Sequence, residues 1–443
     1  MKLANLSFSV NLISVGWGAA ILSLNIEDVQ YRFPTRLLFH AFKVSHMMKK
    51  NMRPLVTPIT RISRCLQVLV CLLIFAVAAS VEANVVREPK PWRALHLLDY
   101  STDDALDALG KDLPTLAKQG INVIILEVDY NFAFKSHPEL RRGTNPITRD
   151  GATRFATLCK KLNIRLIPQF QSLGHQSWKA ETFPLLTSYP NFDVTPGAFP
   201  NNEGIYCREW DPLNPEVWRI VFQLMDEIID AFNADAFHVG MDEIFLLGSE
   251  QSPSTKGKDS GVLFAKAVNE IYSHLVKKRH VEMLMWGDRL IDGKKYDFGE
   301  WEAALNGTAT AVDLIPKDII ICPWHYEVRD NYPSILMFIE KGFRVLPAGW
   351  KDVDATRALI GFSQTHAGAK LLGHMFTTWG VKKDALLEFP PLVEGLKLIR
   401  EIETKKVASK QEQVTPENYP QIVANLRRSE ESMCVTILVS SNL

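Results

Sequence analysis

From Pro89 onward, short apolar runs alternate with longer stretches of helical periodicity, and this alternation leaves the chain few architectures. The runs fall at 93–98, 122–128, 164–170, 236–239, 281–286, 319–322, 343–346 and 371–377, eight in all. Between and after them, helical spacing of apolar residues marks 103–118, 153–162, 215–232, 261–278, 333–341, 354–368 and 386–404. Strands that alternate with crossover helices pair in parallel, each crossover is right-handed, and eight such units can close on themselves. The expected fold is therefore α/β, a (β/α)8 TIM barrel forming a single domain. After Trp286 the pattern is less regular, and a helix is expected near 299–305. The segment 171–211, rich in Pro, Asn, Thr and aromatic residues, is too long for a simple turn. In a barrel it falls at the C-terminal face, where loops of this length are usually lids or binding loops.

Composition narrows the partners. Of the 443 residues 47% are hydrophobic, enough to bury a large core, and 50 Lys plus Arg balance 50 Asp plus Glu. A formally neutral chain gives no electrostatic reason to expect nucleic acid or an anionic membrane as main partner. Basic residues between Lys49 and Arg64, the apolar run 66–79 and the small residues around Val81-Glu82-Ala83 read as a secretory signal peptide cleaved after Ala83. Met47, Met48 or Met52 would make a better start than Met1. The expected organisation is an N-terminal extension and signal peptide over 1–83, the barrel over 84–410, and a C-terminal helix (416–428) and tail within 411–443. The product is expected to be exported, the alternative being membrane anchoring through the apolar stretch 10–24. Cys159, Cys207, Cys322 and Cys434 form no C-x-x-C pair, so a zinc ribbon is not supported and any pairing stays open.

The unusual chemistry lies at strand ends. The run Ala236-Phe237-His238-Val239 ends in Gly240-Met241-Asp242-Glu243. Neighbouring carboxylates repel when both ionise and burial raises a carboxyl pKa, so here one acid can stay protonated while its neighbour is charged. An acidic pair that merely opens a loop is the structural alternative. Trp286, Trp324, Trp350 and Trp379 each sit at or just beyond the end of a strand, on four successive strands. In a barrel those ends converge on one mouth, where indoles form an apolar box able to stack on a sugar face or enclose a methyl group. Core packing is the ordinary fate of any one of them.

The strand ending His238-Val239-Gly240-Met241-Asp242-Glu243 resembles the H-x-G-G-D-E signature of the family 20 glycoside hydrolases, the β-N-acetylhexosaminidases. Ile167-Pro168-Gln169-Phe170-Gln171-Ser172-Leu173-Gly174-His175 is similar to the family's third-strand segment, which typically ends in Pro-Gly-His, and Asp211-Pro212-Leu213-Asn214-Pro215-Glu216 to its approach to the next helix. Asn122-Val123-Ile124-Ile125-Leu126-Glu127-Val128-Asp129 is similar to the second strand, so the resemblance runs from about Arg93 to Thr404. It implies a retaining glycosidase that removes N-acetylhexosamine from glycans, with the substrate's own 2-acetamido oxygen as nucleophile. Glu243 is then the general acid and base, and Asp242 orients the acetamido N–H while an oxazolinium ion forms. His175 and Asp129 match a relay behind the acid, and His238 matches the histidine that opens the signature. Arg93 resembles an arginine that binds sugar hydroxyls, with a spacing to Asp99 one residue longer than usual. The resemblance implies no cofactor and no metal.

The sequence also departs from the pattern. Met241 stands in place of the second glycine, and Gln169 and Gln171 stand where acids are common. Lys351 and Asp352 follow Trp350 where the family often has a tyrosine that bonds the acetamido oxygen, for which Tyr326 is a candidate substitute. Val381 replaces a frequent hydroxyl-binding glutamate. Two other classes remain: a non-catalytic carbohydrate-binding barrel, and a metal-dependent barrel hydrolase using His175, His238, Asp242 and His374. Oligomeric state, sugar epimer and linkage are not legible.

Overall fold

A computed structural model describes residues 91–366 and 368–412, together with three short segments near the N-terminus. Those segments, Ser9–Val15, Ala19–Ile26 and Val29–Arg32, form a small antiparallel sheet within the N-terminal unit, Met1–Glu88. The signal-peptide expectation and the helix expected at 416–428 lie outside the described residues.

The second unit, Pro89–Leu443, contains the barrel. Its strands are β1 (Trp92–Leu97), β2 (Val123–Glu127), β3 (Arg165–Ser172), β4 (Ala236–Gly240), β5 (Glu282–Trp286), β6 (Ile320–Cys322), β7 in two pieces (Arg344–Val345 and Ala348–Gly349) and β8 (Gly373–Thr377). All neighbours pair in parallel. The first piece of β7 pairs with β6 and the second with β8. Across the interruption at Leu346-Pro347, Leu346 N–H donates to Ile321 O and Met375 N–H to Pro347 O, each at 2.9 Å, so the sheet closes.

Alternation along the strands sorts the core. Ala94, Ile125, Ile167, Ala236, Leu284, Ile320 and Met375 fill the barrel, while Leu95, Leu97, Ile124, Phe170, Phe237 and Val239 point outward under the helices. Each such fully buried large side chain contributes about 1.5–3 kcal/mol. The outer ring comprises α1 (Asp103–Gln119), α2 (Arg149–Lys161), α3 (Pro215–Phe232), α4 (Ser260–Tyr272, extended by a π-turn Ser273–Lys278), α5 (Pro333–Glu340), α6 (Val353–Thr365) and α7 (Pro390–Glu412). Start signals are local: Thr102 accepts the Ala105 N–H at 3.1 Å, Asp259 that of Val262 at 2.9 Å, and Asp352 that of Ala355 at 2.7 Å.

The helix expected at 299–305 is absent. Only a four-residue helix, Gly293–Tyr296, and two 3₁₀ segments, Asp288–Leu290 and Thr308–Asp313, lie between β5 and β6. Asp297 and Gly307, both at positive φ, break the chain on either side. The Arg289 guanidinium takes the carbonyls of Glu300, Trp301 and Ala303 at 2.6, 3.0 and 2.9 Å, so those acceptors are not free for a helical ladder. Among the described residues Cys159, Cys207 and Cys322 are free, buried thiols.

Candidate active site

Asp242 and Glu243 follow β4 directly, at the C-terminal mouth. The backbone leaves the strand through a run of left-handed residues: Gly240 at φ 66°, Met241 at 70° and Glu243 at 52°. Met241 therefore adopts a conformation for which glycine is the easier residue, which accounts for the glycine expected there, and its side chain is anchored in the core. Two carboxylates hold the loop by three of its backbone N–H groups. Asp288, just beyond β5, accepts the Glu243 N–H at 2.9 Å, and Glu209 accepts those of Phe245 and Leu246 at 2.5 and 2.7 Å. Arg289 donates to Asp288 at 2.7 Å. Burial pushes the Asp288 carboxyl up to about 6, against the pull of Arg289, and that of Glu209 to about 7, against its two backbone donors.

His175, brought in by the turn after β3, places Nε2 3.0 Å from Glu243 Oε2 and 3.4 Å from Asp242 Oδ2. Its ring N–H is aligned with neither oxygen, so the contact is one of charge rather than a directed hydrogen bond. Burial disfavours the imidazolium most strongly, but the Asp242 charge together with the close contacts of both carboxylates outweighs it and holds the His175 pKa well above its ordinary value. Reciprocally, burial opposes ionisation of Asp242, yet the attraction of His175 and a 3.1 Å hydrogen bond from Gln171 Nε2 bring it below the usual carboxylate value. Asp242 is thus the ionised acid.

Other candidates divide by position. Asp129 lies close by, but its Oδ1 accepts the Gln171 backbone N–H at 2.7 Å, and no hydrogen bond joins it to His175. Its influence is electrostatic, and burial raises its pKa to about 6. His238 is buried inside the barrel beneath Trp286, with ring centroids 4.6 Å apart, and its Nδ1 accepts the Gly240 N–H at 3.1 Å. Burial holds it neutral, and its contacts are structural. His374 turns outward against Phe376, away from the acids.

The aromatic box assembles. Trp286 and Trp379 lie 6.4 Å apart, Tyr326 stacks on Trp324 at 5.0 Å and meets Trp350 at 5.3 Å, and Trp379 Nε1–H donates to Tyr326 Oη at 2.9 Å. Trp350 Nε1–H donates to Trp379 O at 2.8 Å, which ties β7 to β8 at the rim.

Arg93 is a correction. It sits at the start of β1, at the opposite end of the barrel, where Nε donates to Gly120 O at 2.6 Å and Nη1 to Glu403 at 2.9 Å. Four residues of strand, roughly 13 Å, separate it from the end of β1, so it closes the bottom of the barrel and does not reach a sugar at the mouth.

Sequence reading missed Glu209 and Asp288. The acid that ends Trp286-Gly287-Asp288 was a visible signal. Glu209 lies in the long excursion after β3, where no periodicity marks it. That excursion is packed rather than open: Arg208 pairs with Asp193 and bonds Asn202 and the Phe199 carbonyl, and Trp210 N–H donates to Leu173 O at 2.9 Å.

The described residues thus define a closed parallel β/α barrel with an acid pair and an indole box at its C-terminal mouth. The catalytic-domain model of glycosyl hydrolase family 20 matches residues 111–349, and the chain belongs to that family. Among curated proteins it is 24% identical over 212 residues to hexosaminidase D of Bos taurus, covering 45% of this chain and 56% of the relative. It is also 23% identical over 230 residues to lacto-N-biosidase of Bifidobacterium bifidum, covering 49% and 18% respectively. The chain thus spans about half of the first relative and less of the second. Among solved structures, a chitobiase from Flavobacterium johnsoniae superposes with a TM-score of 0.53 at 18% identity, covering 71% of this chain and 51% of the other. A β-N-acetylhexosaminidase from Bacteroides fragilis does so at 0.50 and 12%, covering 73% and 71%. These likenesses support the barrel fold.

Proposed function

We propose that the protein is a retaining β-N-acetylhexosaminidase that cleaves N-acetylhexosamine from glycans by substrate-assisted catalysis. The single observation that carries the reading is the His175, Asp242 and Glu243 constellation, in which Asp242 is held ionised beside Glu243 at the rim of the indole box. The substrate's acetamido oxygen attacks the anomeric carbon as the bond to the leaving oxygen breaks, and Glu243 delivers the proton to that oxygen. The resulting oxazolinium N–H carries positive charge, which the Asp242 carboxylate stabilises without moving. Water then attacks the anomeric carbon, giving up a proton to Glu243, as the bond from that carbon to the acetamido oxygen breaks and the acetamide is regenerated; two displacements leave the configuration retained. The box encloses the acetamido methyl, with Tyr326 Oη at its edge as a donor for the acetamido oxygen.

Glu243→Gln tests this. Turnover of an aryl N-acetylglucosaminide is expected to fall at least a thousandfold with sugar binding preserved; wild-type rates in the variant remove Glu243 from the acid role. We also propose export, supported by the signal-like segment 66–83, for which the N-terminal residue of protein recovered outside the cell is the check.

One observation favours a second reading. Ligand atoms of His175, Asp242 and Glu243 lie within 4.8 Å of one another, a set that could hold a divalent ion. Turnover unaffected by exhaustive chelation and by added metal supports the amide-assisted route; chelator-sensitive turnover restored by metal supports the other.

A further inference from the structure

The chain leaves β6 through Trp324-His325-Tyr326, where successive side chains face opposite ways. Trp324 and Tyr326 pack on the residues that fill the barrel and stack on each other in the aromatic box. His325 turns the other way and is fully buried against Phe298, the two rings near parallel with centroids 4.7 Å apart. Its Nε2 lies 2.7 Å from Ser334 Oγ in the first turn of α5, and its Nδ1 3.1 Å from Glu302 Oε2. The other oxygen of Glu302 accepts the Tyr326 N–H at 3.3 Å. One carboxylate thus clamps two consecutive residues, the ring of the first and the backbone of the second.

Glu302 has only 12% of its side chain exposed, yet it is held ionised. Burial opposes the charge, but the His325 contact and the Tyr326 N–H bring its carboxyl below the usual carboxylate value. Its own position is fixed as well. Arg289 Nη2 takes the carbonyls of Trp301 and Ala303, on either side of Glu302, at 3.0 and 2.9 Å. Nε of the same guanidinium donates to Asp288, which holds the Glu243 N–H. Residues 300–303 are therefore tied to the acid loop on one side and to the aromatic box on the other.

Tyr326 is the box residue that this tie controls. Its Oη accepts from Trp379 Nε1–H at 2.9 Å and so keeps its own proton to donate, and its ring borders Trp324 and Trp350. A shift of the backbone at 325–326 would move that donor and change the depth of the space beside the rings. We propose that Glu302 is a positioning residue for the acetamido pocket: by clamping His325 and the Tyr326 backbone it places Tyr326 Oη and sets how long an N-acyl group the box admits. The inference rests on the amide-assisted reading above and deepens it by naming what makes the pocket selective for acetyl. A clamp that only stabilised the loop would affect every N-acyl sugar alike, whereas a positioning clamp changes their ratio.

The test uses 4-nitrophenyl β-glucosaminides bearing N-acetyl or N-propanoyl groups, which share a leaving group and differ by one methylene. A shaped apolar pocket discriminates one methylene by about 10- to 200-fold, and wild type is expected to favour acetyl within that range in kcat/KM. In Glu302→Ala the ratio should fall about fivefold or more, with kcat for the acetyl substrate down about 10- to 100-fold. Glu302→Gln keeps the reach, an acceptor for the Tyr326 N–H and a donor for the other tautomer of His325, so it should retain most of the ratio. Ser334→Ala removes one hydroxyl and frees His325 from its other side; the ratio should fall about two- to threefold, and this variant decides alone if Glu302→Ala does not fold. Equal losses on both substrates, or a wild type that accepts both acyl groups equally, overturn the proposal. Binding of N-acetyl- and N-propanoylglucosamine to Glu243→Gln, with and without Glu302→Ala, separates the two readings. An acetyl preference lost on adding Glu302→Ala, in a protein that hydrolyses neither glycoside, refutes only the hydrolase reading. Hydrolysis with a preference that Glu302→Ala leaves intact refutes only the clamp.

Discussion

Replacing His175 by Asn removes the cation shared by the two acids while keeping a polar side chain of similar reach. At 3.4 Å and an effective dielectric of about 20, the attraction between His175 and Asp242 is about 5 kcal/mol before desolvation. Breaking one partner out of such a buried pair leaves a net cost of about 3–5 kcal/mol, because the Asp242 carboxylate is then buried without a counter-charge. The sign follows from the two displaced pKa values. His175 titrates above its ordinary 6.5 in the folded protein, so its contribution is complete below that value and is lost as pH rises through the folded one. Asp242 titrates below its ordinary 3.8, so its contribution is complete above that value and is lost as pH falls through the folded one. The stability gap between wild type and His175→Asn is therefore widest between pH 3.8 and 6.5 and narrows on both sides. Without the cation Asp242 is harder to ionise, so the acid limb of kcat/KM should move to higher pH by about one to three units. Melting curves and pH–rate profiles on the same samples provide the assay. A stability loss with an unmoved acid limb would refute the claim that His175 keeps Asp242 charged.

Two further substitutions probe opposite ends of the barrel. Gly240→Ala puts a methyl group 1.6 Å from Gln171 Oε1 at a φ of +66°, so the amide that bonds Asp242 must move; kcat should drop about tenfold or more, with stability reduced by about 1–3 kcal/mol, and an unchanged kcat would show that the Gln171 contact is dispensable. Arg93→Ala should cost about 1–2 kcal/mol in thermal stability through its lost bonds to Gly120 O and Glu403, with KM untouched; a raised KM would return Arg93 to substrate binding.

The barrel was legible because its information is local and periodic. Alternating apolar residues marked the strands to within two residues, the interrupted β7 apart, and α3 occupies the expected 215–232. The acid pair and the box were legible because strand ends in a parallel barrel converge, so position along a strand already fixes which end a side chain occupies. Arg93 was misread for the same reason taken the wrong way: at the start of its strand it belongs to the bottom, whatever its spacing to Asp99. The missing helix before β6 and the support of the acid loop depend on contacts between distant segments. Arg289 reaches across to residues 300–303, and Glu209 reaches Phe245 and Leu246, pairings that no period or spacing announces. Met241 looked like a departure from the signature, yet it takes the left-handed conformation and anchors its side chain in the core.

The central claim is that the substrate's own amide attacks while Asp242 steadies the charge that forms on it. Its most direct test is the hydrolysis of 4-nitrophenyl N-acetyl-β-glucosaminide and 4-nitrophenyl β-glucoside by the same preparation, with the anomeric form of the first product read by NMR. Turnover confined to the acetamido sugar, giving the β-anomer first, is the predicted result. Comparable turnover of the plain glucoside, or initial release of the α-anomer, would contradict it.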